Sequence, residues 1–153
     1  TEAYRDLKSR LGHRMAAAVV QNMIGEGVEV VVGATQDPVF GPLILCGSGG
    51  VLVELIQDVA FRIHPLTDRD VEEMLAGLKV TRLLRGYRGK PPVDEGALRE
   101  LLLRISALVE LCPELQEMDI IPVKVCRDGV YALDVRIRID RPPRRAPSRR
   151  VVY

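Results

Sequence analysis

Three carboxylates near the C-terminal end of the sequence have the types and spacing of a cation site. Glu117 and Asp119 stand two residues apart at the start of a predicted β-strand, so their side chains share one face of it. Asp134 lies on the next predicted strand, and the turn at residues 127–129 is typical of a hairpin that would join the two. Carboxylates that converge from adjacent strands suit a magnesium ion that bridges nucleotide phosphates. Two edge strands with solvated acids are the alternative.

A glycine cluster forms a second candidate site. Gly47, Gly49 and Gly50 stand between a predicted strand and a helix-like segment that carries Glu54. Glycines at such a junction let the backbone approach a ligand closely and direct free N–H groups at an anion. The G-x-G-G spacing fits neither the dinucleotide-binding nor the Walker fingerprint. A strand-to-helix turn that needs positive φ is the alternative, and glycine clusters are more often turns than phosphate sites.

Arg62 is the third candidate, because it interrupts an apolar strand. Alternation places Phe61 and Ile63 on one face of that strand and Arg62 on the other, together with His64. A guanidinium group in this position could hold phosphate oxygens through two hydrogen bonds. A structural ion pair or an exposed strand face explains it equally well. Neither His64 nor His13 has the setting of a phosphoryl acceptor, and both are expected to be structural.

The elements that position these residues predict an α+β fold, in which a mixed or antiparallel sheet packs helices on one face. Apolar periodicity, turn residues and capping residues indicate helices at 2–11, 68–78 and 94–111, a helical turn at 81–85, a hairpin of strands 16–23 and 28–32, and strands at 43–46, 59–64, 118–125 and 131–139. Thr67 or Asp68 is the predicted N-cap of the second helix, and Asp94 that of the long one.

Composition indicates one globular domain. The 153 residues are 47% apolar and carry a formal net charge of +1, which gives no field to attract nucleic acid. The sequence has no apolar run of membrane-spanning length and no signal-peptide pattern. Its three cysteines lack C-x-x-C spacing, so reduced thiols in the cytoplasm are expected. Because it begins with threonine, the chain is expected to be part of a longer protein, and the Pro/Arg-rich residues 141–153 are expected to be disordered.

An ordered set of motifs gives a more specific indication. D-P-x-F-G-P begins at Asp37, G-x-G-G follows at Gly47, and E-x-x-x-D-x-x-x-R-x-x-P begins at Glu54. Together they resemble the ATP-grasp domain of the NDP-forming (ADP-forming) acyl-CoA synthetases, which also occurs in acetyltransferase fusions. The resemblance extends from Ala3 to Ile139. It implies that residues 1–140 are the larger, C-terminal subdomain of an ATP-grasp domain, and that the other half of the clamp lies upstream.

The resemblance also implies roles for individual residues. The family's interdomain hinge reads the adenine, its glycine loop lies near the transferred phosphoryl group, and its magnesium ligands include an asparagine and an aspartate on neighbouring strands. Carried over to this sequence, the implied catalytic residues are Glu54 and Arg62, the implied nucleotide-binding residues are Val20, Gln21, Asn22, Met23, Glu29, Gly47, Gly49 and Gly50, and the implied metal ligands are Asp119 and Asp134. Ile121 stands where the family has its asparagine, and isoleucine cannot bind a metal. The loop at residues 85–89 also resembles a family motif, but no role is assigned to it.

Two functions follow from the resemblance. In the first, the chain binds ATP or ADP and magnesium within an ADP-forming acyl-CoA ligase, which transfers a phosphoryl group through phosphohistidine and acyl-phosphate. Its partners would be the missing ATP-grasp subdomain and the CoA-binding domains, in the same protein or in a partner subunit, and the isolated chain would be inactive. In the second, which Ile121 favours, it is a degenerate regulatory or oligomerisation domain of a protein acetyltransferase fusion. A third reading, an interaction domain that binds no nucleotide, stays open, and self-association through exposed apolar surface is compatible with each.

Overall fold

A six-stranded antiparallel sheet forms the centre of the molecule. The computed structural model describes residues 2–50 and 57–140. Its elements are α1 (Glu2–Leu11), a 3-10 helix (Gly12–Arg14), β1 (Val28–Asp37), β2 (Gly41–Ser48), β3 (Val59–Ile63), α2 (Asp68–Gly77), α3 (Thr81–Leu84), α4 (Glu95–Leu111), β4 (Leu115–Cys126), β5 (Gly129–Ala132) and β6 (Val135–Ile139). The strand order is β3-β2-β1-β4-β5, and β6 also pairs with β4. The predicted α+β class is confirmed.

The sheet has a core face, which α2 and α4 cover, and an open face on the other side. Side chains alternate along β1, so Val30, Val32 and Ala34 enter the core while Val31 and Gly33 turn to the open face. The main core contributions from the helices and from the neighbouring strands are Val71, Met74, Leu75, Leu98, Leu102, Ile105, Ile44, Met118 and Ile120. Burial of this one face fixes the register of every strand, because a slip of one residue would expose the apolar set.

Local capping interactions begin the two core helices where the sequence predicts. The Thr67 side chain accepts a hydrogen bond from the Asp70 amide, and the Asp70 carboxylate accepts one from the Thr67 amide at 2.8 Å. Asp94 caps α4 by accepting a hydrogen bond from the Ala97 amide at 2.9 Å. Both caps satisfy N–H groups that have no partner within the helix.

The predicted hairpin of strands 16–23 and 28–32 is wrong. Residues 16–23 form no strand and are exposed. The reason is that both edges of β1 are occupied, by β2 on one side and by β4 on the other. The apolar run at 16–20 predicts a buried strand, whereas these residues are exposed.

The predicted last strand, residues 131–139, is interrupted. β5 and β6 both pair with β4, and residues 133 and 134 separate them. The ladder opposite shifts at Ile121 and Pro122, where β4 has one more residue than β1. This bulge and the interruption face each other, so the two irregularities lie at one place in the sheet.

The three cysteines are free thiols, as expected. Burial is the main cause that raises the pKa of Cys46 to about 12, so this thiol stays protonated. None of the helices within residues 2–50 and 57–140 has the length and hydropathy needed to span a membrane. The segment that carries Glu54 and the Pro/Arg-rich residues 141–153 lie outside the described residues.

Candidate functional site

The predicted metal ligands lie on the open face of the sheet. Asp119 pairs with Gly33 of β1 on one side and with Arg136 of β6 on the other. A Cβ on Gly33 would lie 2.7 Å from the Met118 carbonyl oxygen, 3.3 Å from Leu45 Cδ2 and 3.4 Å from Asp119 Oδ1, so Gly33 packs closely against its neighbours and Asp119 lies beside it. Asp119 has no hydrogen bond or ion pair with any residue that the structure describes. It is therefore available to a ligand above the sheet.

Asp134 joins Asp119 on this face, with Ile121 directly opposite. The Ile121 amide donates a hydrogen bond to the Asp134 carbonyl at 3.1 Å, which continues the β4–β6 ladder. Asp134 is thus the diagonal neighbour of Asp119, at a Cβ separation of roughly 7 Å. Its carboxylate lies 4.0 Å from Arg136 Nε, and its side chain is 63% exposed. The Ile121 side chain, 50% exposed, occupies the position opposite this carboxylate.

This donor set fits a magnesium ion only when a nucleotide supplies further oxygens. Within residues 2–50 and 57–140, no group of three or more His, Cys, Asp or Glu side chains could hold a metal ion. Magnesium is commonly held by one or two carboxylates together with water and substrate phosphates. Asp119 and Asp134 therefore suit a nucleotide-bridged ion rather than a site made by protein alone.

The glycine cluster packs tightly against neighbouring backbone. The Gly49 amide donates a hydrogen bond to the Glu29 carbonyl at 2.8 Å, and a Cβ on Gly49 would lie 2.6 Å from the Glu29 carbonyl carbon. Gly47 would meet the Asp58 carbonyl oxygen at the same 2.6 Å, while Gly50 has a φ of +69°. Close packing and turn conformation thus account for the three glycines. Gly49 and Gly50 themselves lie beside Glu29 of β1.

Two adjoining cavities lie at the end of the sheet where β1 begins. The first, here named the loop cavity, has a volume of about 480 Å³ and is lined by residues that include Glu29 and Gly49. The second, the hinge cavity, has a volume of about 520 Å³, and Asn22 and Met23 line it. Glu26 and Arg127 line both cavities, so the two cavities adjoin each other. Four of the predicted nucleotide-binding residues are thereby brought to one end of the sheet.

Other predicted nucleotide residues lie apart from these cavities. Val20 is 94% exposed and, like the exposed Gln21, lines neither of them. Gly47, which lies in β2, and Gly50, which follows that strand, also line neither cavity. Glu54 lies outside the described residues.

Arg62 lies on the core face of the sheet, on the opposite side from Asp119. It pairs with the buried Ile44 of β2, and its guanidinium lies 3.9 Å from the Glu73 carboxylate of α2. The same guanidinium donates a hydrogen bond to the Phe61 carbonyl at 2.9 Å. The structure therefore gives Arg62 the structural ion pair, and does not bring it to the carboxylates on the open face.

Asp58 is a buried carboxylate that belongs to the motif beginning at Glu54 but has no predicted role. It is 6% exposed and accepts hydrogen bonds from Ser48 Oγ at 2.6 Å and from the Lys79 and Val80 amides at 2.7 Å and 2.9 Å. Burial raises its pKa, but these hydrogen bonds together outweigh burial, so the pKa lies below the ordinary value. Asp58 thus joins β2 and β3 to the link between α2 and α3, and it supports the glycine turn.

His64 is likewise structural. Its Nδ1 lies 3.1 Å from Ser106 Oγ on α4, and that hydroxyl accepts a hydrogen bond from the Leu66 amide at 2.9 Å. This contact joins the end of β3 to α4. His13, in the 3-10 helix, is exposed.

Cations around the loop cavity are a further feature without a sequence-based role. Arg88 and Lys90 line it from the loop after α3, and Arg127 lines it from the β4–β5 turn. In the sequence, the basic, glycine-rich loop at residues 85–89 is the one indication of such a site. Because this loop and the turn at 127 are far apart in sequence, the sequence does not show that both line one cavity.

Comparison with known proteins identifies the family of this fold. A family model of the ATP-grasp domain matches residues 1–139. The ADP-forming acetate–CoA ligase I of Archaeoglobus fulgidus is 47% identical over 124 residues, which cover 81% of this chain and 18% of that protein. The beta subunit of ADP-forming acetate–CoA ligase I from Pyrococcus furiosus is 38% identical over 119 residues, covering 78% of this chain and 51% of the subunit.

A solved structure is similar over most of the chain. Acetyl-coenzyme A synthetase 1 of Candidatus Korarchaeum cryptofilum, in complex with coenzyme A and Mg-AMPPCP, superimposes with a TM-score of 0.78 at 38% identity. The match covers 90% of this chain and 62% of that one. Each of these relatives is longer than this chain. The chain therefore belongs to the ATP-grasp domain family, and the relatives that it resembles within the family are ADP-forming CoA ligases.

Proposed function

We propose that this chain is the nucleotide-binding C-terminal subdomain, residues 1–140, of an ADP-forming acyl-CoA ligase. It would hold ATP or ADP along the open face of the sheet, with the adenosine at the hinge cavity and the phosphates at the two carboxylates. The remaining ATP-grasp subdomain and the CoA-binding domains would complete the enzyme, in which phosphohistidine and acyl-phosphate carry the phosphoryl group.

The observation that carries this proposal is the row of side chains along the open face. Glu29 stands at the end of β1 beside the cavities, and Gly33, four residues further along, is the partner of Asp119. Four residues of strand span about 13 Å, a length that suits a nucleoside triphosphate extended from its ribose to its last phosphate. A carboxylate at one end can accept hydrogen bonds from ribose hydroxyls, and carboxylates at the other can hold the phosphate-bound magnesium.

When bound, magnesium would neutralise phosphate charge during transfer. Asp119 and Asp134 would be its protein ligands. Arg136, 4.0 Å from Asp134, would balance the two carboxylates before the ion binds. These residues bind and orient, which is how phosphoryl-transfer sites act.

The test is calorimetric titration of ATP and ADP into the full-length protein, with and without magnesium. We expect Glu29→Gln to weaken binding in both conditions, because it alters the ribose contact. Asp134→Ala should weaken binding by about tenfold with magnesium and leave it unchanged without it, since a single charge-assisted contact is lost. Glu110→Ala, an exposed carboxylate on α4, is the control. Failure of the folded full-length protein to bind either nucleotide would overturn the proposal.

One observation favours the second function, a degenerate regulatory or oligomerisation domain of an acetyltransferase fusion. Ile121 places an apolar side chain opposite Asp134, where a third oxygen donor would complete the metal site. Nucleotide binding that is tight but indifferent to magnesium, in wild type and in Asp134→Ala alike, would support this function. Binding that magnesium strengthens would support the ligase.

A further inference from the structure

We propose that the loop cavity is a second ligand site, which adjoins the proposed nucleotide site at Glu29, and that it binds an organic phosphate with an apolar or aromatic body. Three cations line this cavity, Arg88 and Lys90 from the loop after α3 and Arg127 from the β4–β5 turn. Between them and the core lies an apolar wall that includes Val80, Leu83 and Val93. The volume of about 480 Å³ is that of a small-molecule site.

The cations are not used by the protein itself. Among residues 2–50 and 57–140, their side chains form no hydrogen bond or ion pair. Arg85, in the same loop region, differs from them. Its Nε donates a hydrogen bond to Glu95 of α4 at 2.8 Å. The three cations come from two separate loops. Together they can hold three oxygen atoms, which a phosphate group supplies and a carboxylate, with its two oxygens, does not. The charge and its arrangement therefore favour phosphate.

The loop that presents Arg88 is fixed in shape. Arg88 has a φ of +49°, between glycines at residues 86 and 89 whose φ values are +94° and +80°. Its guanidinium lies over the Tyr87 ring, 5.4 Å from the centroid, and this stacking orients the charge. After the loop, the Val93 amide donates to the Leu84 carbonyl at 2.9 Å, closing it onto α3.

A backbone contact also holds the two cation-bearing segments together. The Asp94 amide donates a hydrogen bond to the Cys126 carbonyl at 2.8 Å, so the start of α4 is fixed to the residue before Arg127. The cavity is therefore assembled by the tertiary structure before any ligand arrives, which lowers the entropic cost of binding.

The apolar wall and the nearby carboxylates limit the ligand further. Val80, Leu83 and Val93 provide a surface that free inorganic phosphate would leave in contact with water, so an apolar body adds favourable contact. Glu26 and Glu29 also line the cavity and disfavour ligands with additional negative charge. A monophosphate with one apolar or aromatic group satisfies both conditions.

The experiment is calorimetric titration of phenyl phosphate into the full-length protein, with inorganic phosphate as the comparison and with ADP added at saturation in a second series. We expect phenyl phosphate to bind more tightly than inorganic phosphate, and to bind whether or not ADP is present. Arg88→Gln and Arg127→Gln should each weaken it by about tenfold, the loss expected for one charge-assisted contact. Added salt should weaken binding in wild type more than in either variant.

Arg82→Gln is the matched control, because Arg82 is an exposed arginine on α3 that does not line the cavity. Equal affinity for phenyl phosphate in wild type, Arg88→Gln and Arg127→Gln would overturn the proposal, as would the absence of binding at millimolar concentration. Displacement of phenyl phosphate by ADP would also overturn it, since the cavity would then belong to the nucleotide site.

Discussion

Replacing Asp58 with asparagine removes a buried charge at the junction of β2, β3 and the link between α2 and α3. One carboxylate oxygen accepts from Ser48 Oγ at 2.6 Å and from the Val80 amide at 2.9 Å, and the other from the Lys79 amide at 2.7 Å. Asparagine offers one acceptor oxygen and one amino group, so at least one donor would face another donor. Because an unsatisfied buried donor costs about 1–3 kcal/mol and the lost bonds are to a charged group, we expect a loss of about 2–4 kcal/mol in the free energy of unfolding.

The same substitution should change the pH dependence of stability. The hydrogen bonds hold the folded-state pKa of Asp58 below its unfolded-state value of about 3.9. The stability that this carboxylate contributes is therefore present above the unfolded-state pKa and is lost as the pH falls through the folded-state pKa. Between about pH 7 and pH 3, wild type should lose more free energy of unfolding than Asp58→Asn, which has no such group to protonate.

Urea unfolding followed by far-UV circular dichroism, at both pH values, measures these quantities. Glu110→Gln on α4 is the control, an exposed carboxylate with no hydrogen bond or ion pair to the described part of the chain. A difference between Asp58→Asn and wild type no larger than that of the control, about 0.5 kcal/mol, would refute the reasoning. So would an equal loss of stability in acid for the two proteins.

Three further changes test other contacts. Ser106→Ala should lower the free energy of unfolding by about 1–3 kcal/mol, because the Leu66 amide loses its acceptor, and thermal unfolding measures this. Gly49→Ala should lower it by about 1–3 kcal/mol through a 2.6 Å contact with the β1 backbone, whereas Gly77→Ala, which meets nothing within 4 Å, should be neutral or stabilising in the same assay. Ile121→Asn should raise nucleotide affinity about tenfold in the presence of magnesium only, by adding an oxygen donor, and calorimetry would refute this if the gain were independent of the ion.

Features that depend on neighbours in sequence were predictable. The caps at Thr67 and Asp94 rest on side chains that bond to backbone within three residues, so the local sequence specifies them. The turn before Gly129 ends on a glycine with a φ of +134°, which glycine adopts readily. The long apolar stripe of α4 needs only its own periodicity. The same reasoning failed at residues 16–23, because a strand also needs a free edge, and both edges of β1 are occupied.

The candidate site residues show the same difference between what the local sequence specifies and what the tertiary structure specifies. Spacing placed Glu117 and Asp119 on one strand face, and the hairpin turn brought the following strands beside them. The position of Arg62 depended instead on which face of β3 the helices cover, and alternation leaves that choice open. Asp58 belongs to the motif that begins at Glu54, but the sequence does not show what it contacts, since its donors come from residues 10, 21 and 22 positions away.

The sequence by itself determined the α+β class, most helices and strands, the membership suggested by the ordered motifs, and the pairing of carboxylates near the C-terminus. The tertiary structure decided which face of the sheet each side chain occupies, and it brought Arg88 and Arg127 to one cavity. The physical reason is range. Caps, turns and periodicity are fixed by backbone geometry within a few residues, whereas faces and cavities are fixed by burial of the core, to which the whole domain contributes.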